Sequence, residues 1–355
     1  MTNSKTLAGK VDCNQIITGL KNKVYHPVYF LTGDEPYFID TVSDFIENNI
    51  LDESEKEFNQ TVLYGKDIDV LTLIGAAKRF PMMASHQVVI VKEAQNINGL
   101  VAKEDEGDKQ KSKHPFQTYL ENPQKSTILV LCYKYKKVDK RTAVGKMLEK
   151  HTVFFESKKL YDNQIPDWID SYLKNKNYKI DPRASILLAE YLGTELSRIV
   201  NELDKLMINL PQGSEITADD IQKNIGISKD YNVFELQGAL AKKDVLKANR
   251  IINYFAANSK EHPLVVTVGS LYNYFSKVLI YHSLADKSKN NAAAAMGVNP
   301  FFVADYERTA RNYGAGKLKS VFSLLREYDL KSKGYGSASA GEGDLMKEMV
   351  FKILH

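Results

Sequence analysis

The sequence predicts an α/β domain of the nucleotide-binding type followed by two domains built from helices alone. Three observations carry this. Five short apolar runs alternate with helical stretches over the first ~157 residues. Strand-like runs stop after Glu156. Val28–Asp40 reads as an apolar strand, a Gly turn and an amphipathic helix, which is the outline of a phosphate-binding loop.

The first strand is expected at Val28–Leu31. The helix after it places Phe38, Val42, Phe45, Ile46 and Ile50 at the 3–4 spacing of one buried face. Further strands are expected at Phe58–Tyr64, Val88–Lys92, Thr127–Cys132 and Thr152–Phe155. Their unbroken Val, Ile, Leu and Phe character suits a sheet covered on both faces and mostly parallel. Alternation of such strands with helices is the pattern of an α/β layer domain. Lys103–Lys113 is highly charged and reads as a solvated insertion.

Beyond Glu156 the apolar spacing turns helical. Trp168, Ile169, Tyr172 and Leu173 mark one helix, and Asp181-Pro182 opens a second with an N-cap followed by Pro at the first helical position. A third, from Thr194 to about Leu210, sets Leu196, Ile199, Val200, Leu203 and Met207 on one face. Thr217-Ala218-Asp219-Asp220 resembles a capping box before Ile221, with Asp in place of Glu or Gln. From Tyr231, helices are expected over Val233–Ala241, Val245–Asn258, Leu264–Leu284, Pro300–Tyr313, Leu318–Lys331 and Leu345–Leu354. Leu271, Phe275, Leu279, Val321, Leu324 and Leu325 form apolar faces that need burial internally or against neighbours. The Gly/Ser-rich Gly334–Gly343 reads as a flexible link. The expected domains are therefore 1–157, 158–230 and 231–355.

Composition narrows the function. A chain of 355 residues with 43% hydrophobic and 26% charged residues is that of a soluble globular protein of more than one domain. No apolar run approaches the ~20 residues that span a bilayer, and Met1–Lys10 lacks a secretory core, so cytoplasm is the expected compartment and no membrane partner is expected. Cys13 and Cys132 have no His or Cys partner at metal spacing. A net charge of +4 permits nucleic-acid contact without demanding it.

The loop has the outline of an ATP site and none of its chemistry. A working loop reads G-x-x-x-x-G-K-[ST], so that backbone approaches phosphate, Lys binds the β/γ oxygens and Ser/Thr holds Mg²⁺. Aligned from Gly33, the second Gly is Phe38, the Lys is Ile39 and the Ser/Thr is Asp40. Asp34 and Glu35 add negative charge where phosphate would sit. Thr127–Cys132 leads into Tyr133-Lys134 rather than the carboxylates that hold Mg²⁺, and no G-x-S-x-G or H-E-x-x-H occurs. Neither a cofactor, a metal nor a catalytic residue is expected, and ATP chemistry is left to a partner.

Several stretches, in order and spacing, carry a family resemblance over roughly Pro27 to the end. They are Val28–Asp40 with its Gly-Asp-Glu-x-Tyr loop, Phe80–Val91, Lys137-Val138-Asp139-Lys140-Arg141, Asn201–Leu206, Asn299-Pro300-Phe301 and Asp329–Lys333. Together they resemble the delta subunits of bacterial DNA polymerase III, members of the sliding-clamp loader. The resemblance implies an AAA+-like (RecA-like) domain with a degenerate P-loop, a three-helix lid and a helical collar used for oligomerisation. It implies a subunit without activity of its own, inside a complex whose activity is DNA-directed DNA polymerase. The implied partners are the sliding clamp (the beta subunit), the ATP-binding gamma/tau subunits, delta-prime and primed DNA. Lids of this superfamily often carry Gly-x-x-Arg, whereas here Gly193 is followed at that spacing by Leu196, with Arg198 out of register.

By the same resemblance, Met82 and Met83, with Phe80 and Pro81, occupy the tip that enters a pocket on the clamp. The family carries two large apolar residues there, typically Leu-Phe. Met-Met departs from this, but flexible thioether side chains suit adaptable apolar contacts; filling the core beside Phe80 is the ordinary alternative. Lys78, Arg79 and His86 flank the tip, either as charges that steer association or as a solvated helix end that favours cations. Lys134, Lys136, Lys137, Lys140 and Arg141, interleaved with Tyr133 and Tyr135, form the densest basic run. It is either a phosphate-contacting patch or a solvated turn. Two other functions remain open: a P-loop ATPase with a divergent loop, and a DNA-binding scaffold unrelated to clamps.

Overall fold

The computed structural model describes residues 12–101, 114–226, 231–336 and 341–355. The insertion expected at Lys103–Lys113 lies outside them, as does the middle of the link Gly334–Gly343. The chain divides into two compact units, Met1–Leu160 and Tyr161–His355.

In the first unit the order is α1 (Cys13–Lys21), β1 (Val28–Gly33), α2 (Pro36–Asn49), α3 (Glu53–Asn59), β2 (Gln60–Tyr64), α4 (Val70–Ala77), β3 (Gln87–Lys92), α5 (Pro115–Glu121), β4 (Thr127–Lys134), α6 (Ala143–His151) and β5 (Val153–Ser157). The five strands form one sheet in the order β2-β3-β4-β1-β5. Every pairing is parallel, with Val28 opposite Leu129 and Tyr29 opposite Val153 at the start of β1. Side chains alternate across a strand, so β1 serves two cores. Val28 and Phe30 join α4, α5 and α6 on one face, while Tyr29 and Leu31 join α1 and α2 on the other. Double coverage is why the strands read as unbroken apolar runs.

The strand expected from Phe58 begins two residues later, because Phe58 and Asn59 close the capped helix α3. Within α2 the fully buried apolar residues are Ile39, Val42 and Ile46, with Phe38, Phe45 and Ile50 half-buried beside them. Nothing in the sequence reading marked α1.

The second unit contains α7 (Ile165–Asn175), β6 (Lys179–Ile180), α8 (Pro182–Leu192), α9 (Leu196–Asn209), β7 (Glu215–Ile216), α10 (Ala218–Ile225), α11 (Val233–Lys242), α12 (Val245–Ala257), α13 (Leu264–Ser283), α14 (Lys289–Met296), α15 (Val303–Asn312), α16 (Ala315–Ser332) and α17 (Glu342–Leu354). Strands do not stop after the first unit, since β6 and β7 pair in parallel. Two residues each give no periodicity to read. In α9, Leu206 takes the core place expected for Met207, and Val200 is half-buried. From α11 to α17 one core forms around Phe255, Phe275, Tyr313, Tyr328 and Met349. Gly343 of α17 lies so close to α12 that a Cβ there would stand 2.9 Å from the Ala256 methyl. Leu279 is exposed rather than buried, on a stripe of α13 with Val265 and Tyr272 at seven-residue spacing. The short, Ala-rich α14 was missed because alanine gives no amphipathic contrast.

Candidate functional site

All five strands of the first unit run the same way. Loops that follow strands therefore gather at one edge of the sheet, and loops that precede strands gather at the other. The two segments singled out in the sequence fall on opposite edges.

At the edge where strands end, β1 runs out at Gly33 with φ +129°, and a Cβ there would stand 2.1 Å from the Ser157 carbonyl oxygen. Ser157 fills the turn. Its carbonyl accepts from the Asp34 N–H at 3.3 Å, and its Oγ accepts from the Glu35 N–H at 3.2 Å. Glu35 is buried, and its Oε1 accepts from the Tyr37 N–H at 3.2 Å, capping α2. Pro36 offers no N–H at all. The helix N-terminus that would hold phosphate in a nucleotide loop is thus already occupied by the chain's own carboxylate. Ile39, at the position of the phosphate-binding Lys, is fully buried in the core, and Phe38 is half-buried with its ring 5.4 Å from that of Tyr37.

The basic run after β4 folds back on this edge. Lys134 pairs with Asp40 at 2.6 Å and Lys137 with Asp34 at 2.7 Å. Lys140 pairs with Glu156 at 2.9 Å and Glu149 at 3.2 Å, and Arg141 with Asp139 at 3.0 Å. Lys136 donates to the Gln95 carbonyl at 3.1 Å. Pairs this exposed stabilise the fold by only about 0–1 kcal/mol each. Their electrostatic consequence is larger, because each of these four cations meets a carboxylate of its own unit.

The opposite edge carries the tip, residues 78–86, between α4 and β3. Its ends are tied down. Gln87, buried at the start of β3, donates from Nε2 to the Arg79 carbonyl at 2.5 Å and to Thr127 Oγ1 at 2.7 Å. Thr127 in turn donates to the Ala77 carbonyl at 2.9 Å. His86 packs edge-on against Tyr25, with centroids 5.3 Å apart, and its Nδ1 lies 3.0 Å from Ser85 Oγ. Between these ties the apolar side chains are bare. Met82 is 63% exposed, Met83 105% and Phe80 76%. Pro81 is half-buried, and Lys78 and Arg79 are exposed beside it. Met83 adopts φ +55°, a left-handed conformation uncommon for a residue with a side chain. The core-filling alternative for the two methionines is not what the fold adopts.

Two neighbours of the tip were not marked by the sequence reading. Asn59, 4% exposed at the end of α3, holds Met82 by its backbone. Phe58 beside it is exposed. The bond from Asn59 to Met82 spans 23 positions, which no local pattern reveals.

Burial raises the Cys13 and Cys132 thiols to about 11 and so disfavours the reactive thiolate. Among the described residues no group of three His, Cys, Asp or Glu side chains is placed to hold a metal. No helix among them is long and apolar enough to cross a membrane.

Known proteins share this architecture. Residues 29–158, which span the sheet and both edges, match the family model of the DNA polymerase III delta subunit. DNA polymerase III subunit delta of Bacillus subtilis (strain 168) is 27% identical over 319 residues, covering 88% of this chain and 90% of the relative. The chain is thus similar to DNA polymerase III delta subunits, by the family model over its first unit and by that relative over most of its length. A solved structure of the Bacillus subtilis DNA clamp loader delta protein shares the fold at a TM-score of 0.53, with 24% identity over 97% of this chain and 99% of that one. The parallel sheet, with its AAA+-like layering, and the helical C-terminal region agree with that fold.

Proposed function

We propose that this chain is a clamp-loader delta subunit that binds the ring-shaped sliding clamp and opens it for loading on primed DNA, without catalytic activity of its own. The observation that carries this is the pair Met82 and Met83, bare on a loop pinned at both ends. A soluble fold gains nothing by holding two thioethers in water, whereas an interface gains roughly 1.5–3 kcal/mol for each such side chain it buries. A few central apolar anchors can dominate binding. Phe80 and Pro81 extend the anchor. Lys78, Arg79 and His86 border it and steer the encounter with an acidic rim. Lys137, Lys140 and Arg141 are paired internally, which leaves them a lesser part in clamp or DNA contact.

The occupied edge around Gly33 supports delegating ATP binding to the gamma/tau partners, with delta-prime completing the loader in the cytoplasm. We keep the division 1–157, 158–230 and 231–355 as clamp-interacting domain, lid and collar. The exposed stripe Val265, Tyr272 and Leu279 on α13 is the collar's candidate contact with neighbouring subunits.

The test is capture of the purified beta clamp by the full chain without nucleotide, against the Met82→Ala/Met83→Ala variant. Loss of capture is expected, and equal capture by both chains would sink the anchor assignment. Titration with a fluorescent ATP analogue is expected to show no saturable binding. Micromolar affinity there would restore the divergent-ATPase reading. Salt-sensitive DNA binding without clamp affinity would instead indicate a DNA-binding scaffold.

A further inference from the structure

The tip holds its shape without help from ordinary backbone pairing. Among the described residues, no backbone–backbone hydrogen bond engages any position from Phe80 to His86. What fixes the middle of the loop is one buried side chain. Asn59 Oδ1 accepts from the Met82 N–H at 2.6 Å, and Asn59 Nδ2 donates to the Met82 carbonyl at 2.9 Å. The same Nδ2 donates to the Glu55 carbonyl at 3.0 Å, which ties the grip to the body of α3. The amide side chain thus satisfies both backbone groups of one residue, as a paired strand would. The next residue, Met83, is held at φ +55° with its side chain wholly in solvent. A left-handed conformation is unfavourable for a non-Gly residue, and the Met83 side chain, wholly exposed, makes no packing that could offset it. Such an outlier persists only where its surroundings over-determine it.

We propose that Asn59 is a positioning residue for the clamp anchor: it presets the Met82–Met83 tip in its binding conformation before the partner arrives. The proposal rests on reading these methionines as the anchor. It adds that the tip is preorganised and names the residue responsible. A loop that visited the competent shape only part of the time would bind more weakly by that fraction. The chemistry required is narrow. Asp keeps the acceptor but sets a carboxylate oxygen against the Met82 carbonyl, and Leu removes both bonds at similar size.

The experiment measures beta-clamp affinity of the full chain for five proteins: native, Asn59→Leu, Asn59→Asp, Met82→Ala/Met83→Ala, and the triple variant combining Asn59→Leu with the Ala pair. Expected is a loss of about tenfold or more for Asn59→Leu, with faster hydrogen exchange at the Met82 amide. No further loss is expected when Asn59→Leu is added to the Ala pair. The Asn59→Asp variant should be weak at neutral pH and regain affinity as the pH falls, because a protonated carboxyl can again donate to the Met82 carbonyl. A merely structural role would give no such pH rescue. The proposal is overturned if Asn59→Leu weakens binding equally with and without the methionines, or if native affinity survives in Asn59→Leu. Native affinity in the Ala pair is a separate outcome, and it removes the anchor reading itself.

Discussion

The two edges of the parallel sheet have opposite chemistry. Where the strands end, carboxylates and lysines pair off, Ser157 fills the turn and Glu35 occupies the helix N-terminus. Where the strands begin, apolar side chains stand in water on a tied loop. Open α/β sheets ordinarily bind their ligands at the first of these edges. Here the customary edge is closed and the opposite one leaves apolar side chains bare. On the proposed function, the lesson is that a scaffold can keep its layers while its working surface changes sides, because the core that supports both edges is the same.

The contrast can be broken most severely at the tip. Met82→Ala/Met83→Ala should weaken clamp binding by roughly 3–6 kcal/mol if both side chains are fully buried in the complex. Its thermal midpoint should stay close to native, because neither side chain packs at home. A calorimetric drop accompanying the lost affinity would count against the division between edges.

Rebuilding the closed edge should fail, at a cost to the fold. Ile39→Lys, the change that restores the phosphate-binding residue by alignment, puts a charge into the core beside Val42 and Ile46. An uncompensated buried charge costs roughly 3–5 kcal/mol. Urea unfolding should show that loss with no gain of ATP-analogue binding; measurable nucleotide affinity would mean the edge is less closed than its packing implies. Gly33→Ala should be milder, at about 1–3 kcal/mol, because it forces both an unfavourable φ and a clash with the Ser157 carbonyl. Clamp affinity should be unchanged while the fold persists.

Acid gives a gentler probe. Burial lowers the pKa of His26, next to the tip edge, and of His262, whose ring stacks on Phe255 at 4.1 Å. The fold therefore favours neutral imidazole. That contribution is complete above the unfolded value of about 6.5 and declines as the pH falls through the lowered folded values. Thermal midpoints should sink between pH 7.5 and 5, and replacing both histidines by Phe should flatten that part of the profile. The smallest effect belongs to Lys137→Ala. It breaks an exposed pair with Asp34 and should cost less than about 1 kcal/mol, leaving clamp affinity within twofold or so of native.

The sequence showed the strands of the first unit readily, since burial on both faces writes itself as unbroken apolar runs. The degenerate loop was equally legible, because Phe38, Ile39 and Asp40 stand where specific chemistry is required. The burial of Ile39 follows from the helical period, yet the face expected for α2 was drawn through Phe38 instead. The tip methionines were visible by position alone. Their exposure was not, as methionine is as much at home in a core, and Met346 and Met349 of α17 are both fully buried. Least legible were Asn59 and the pairing of the basic run. Both depend on groups far apart in the chain that only the folded sheet brings together.

The ties of Gln87 and Thr127 have a mechanical consequence. In the proposed role, a clamp that resists opening would pull on the tip, and a loop hung only from the last turn of α4 would peel away under such a load. Here the carbonyls of Ala77 and Arg79 are fastened to the first residues of β4 and β3. Those strands are hydrogen-bonded to each other, and β4 to β1, through the middle of the sheet. Force entering at Met82 is shared among three parallel strands rather than borne by one helix end. The tip is tied into the sheet at both ends and held by Asn59 in its middle, and in the proposed role that stiffness would let a small apolar contact act as a lever.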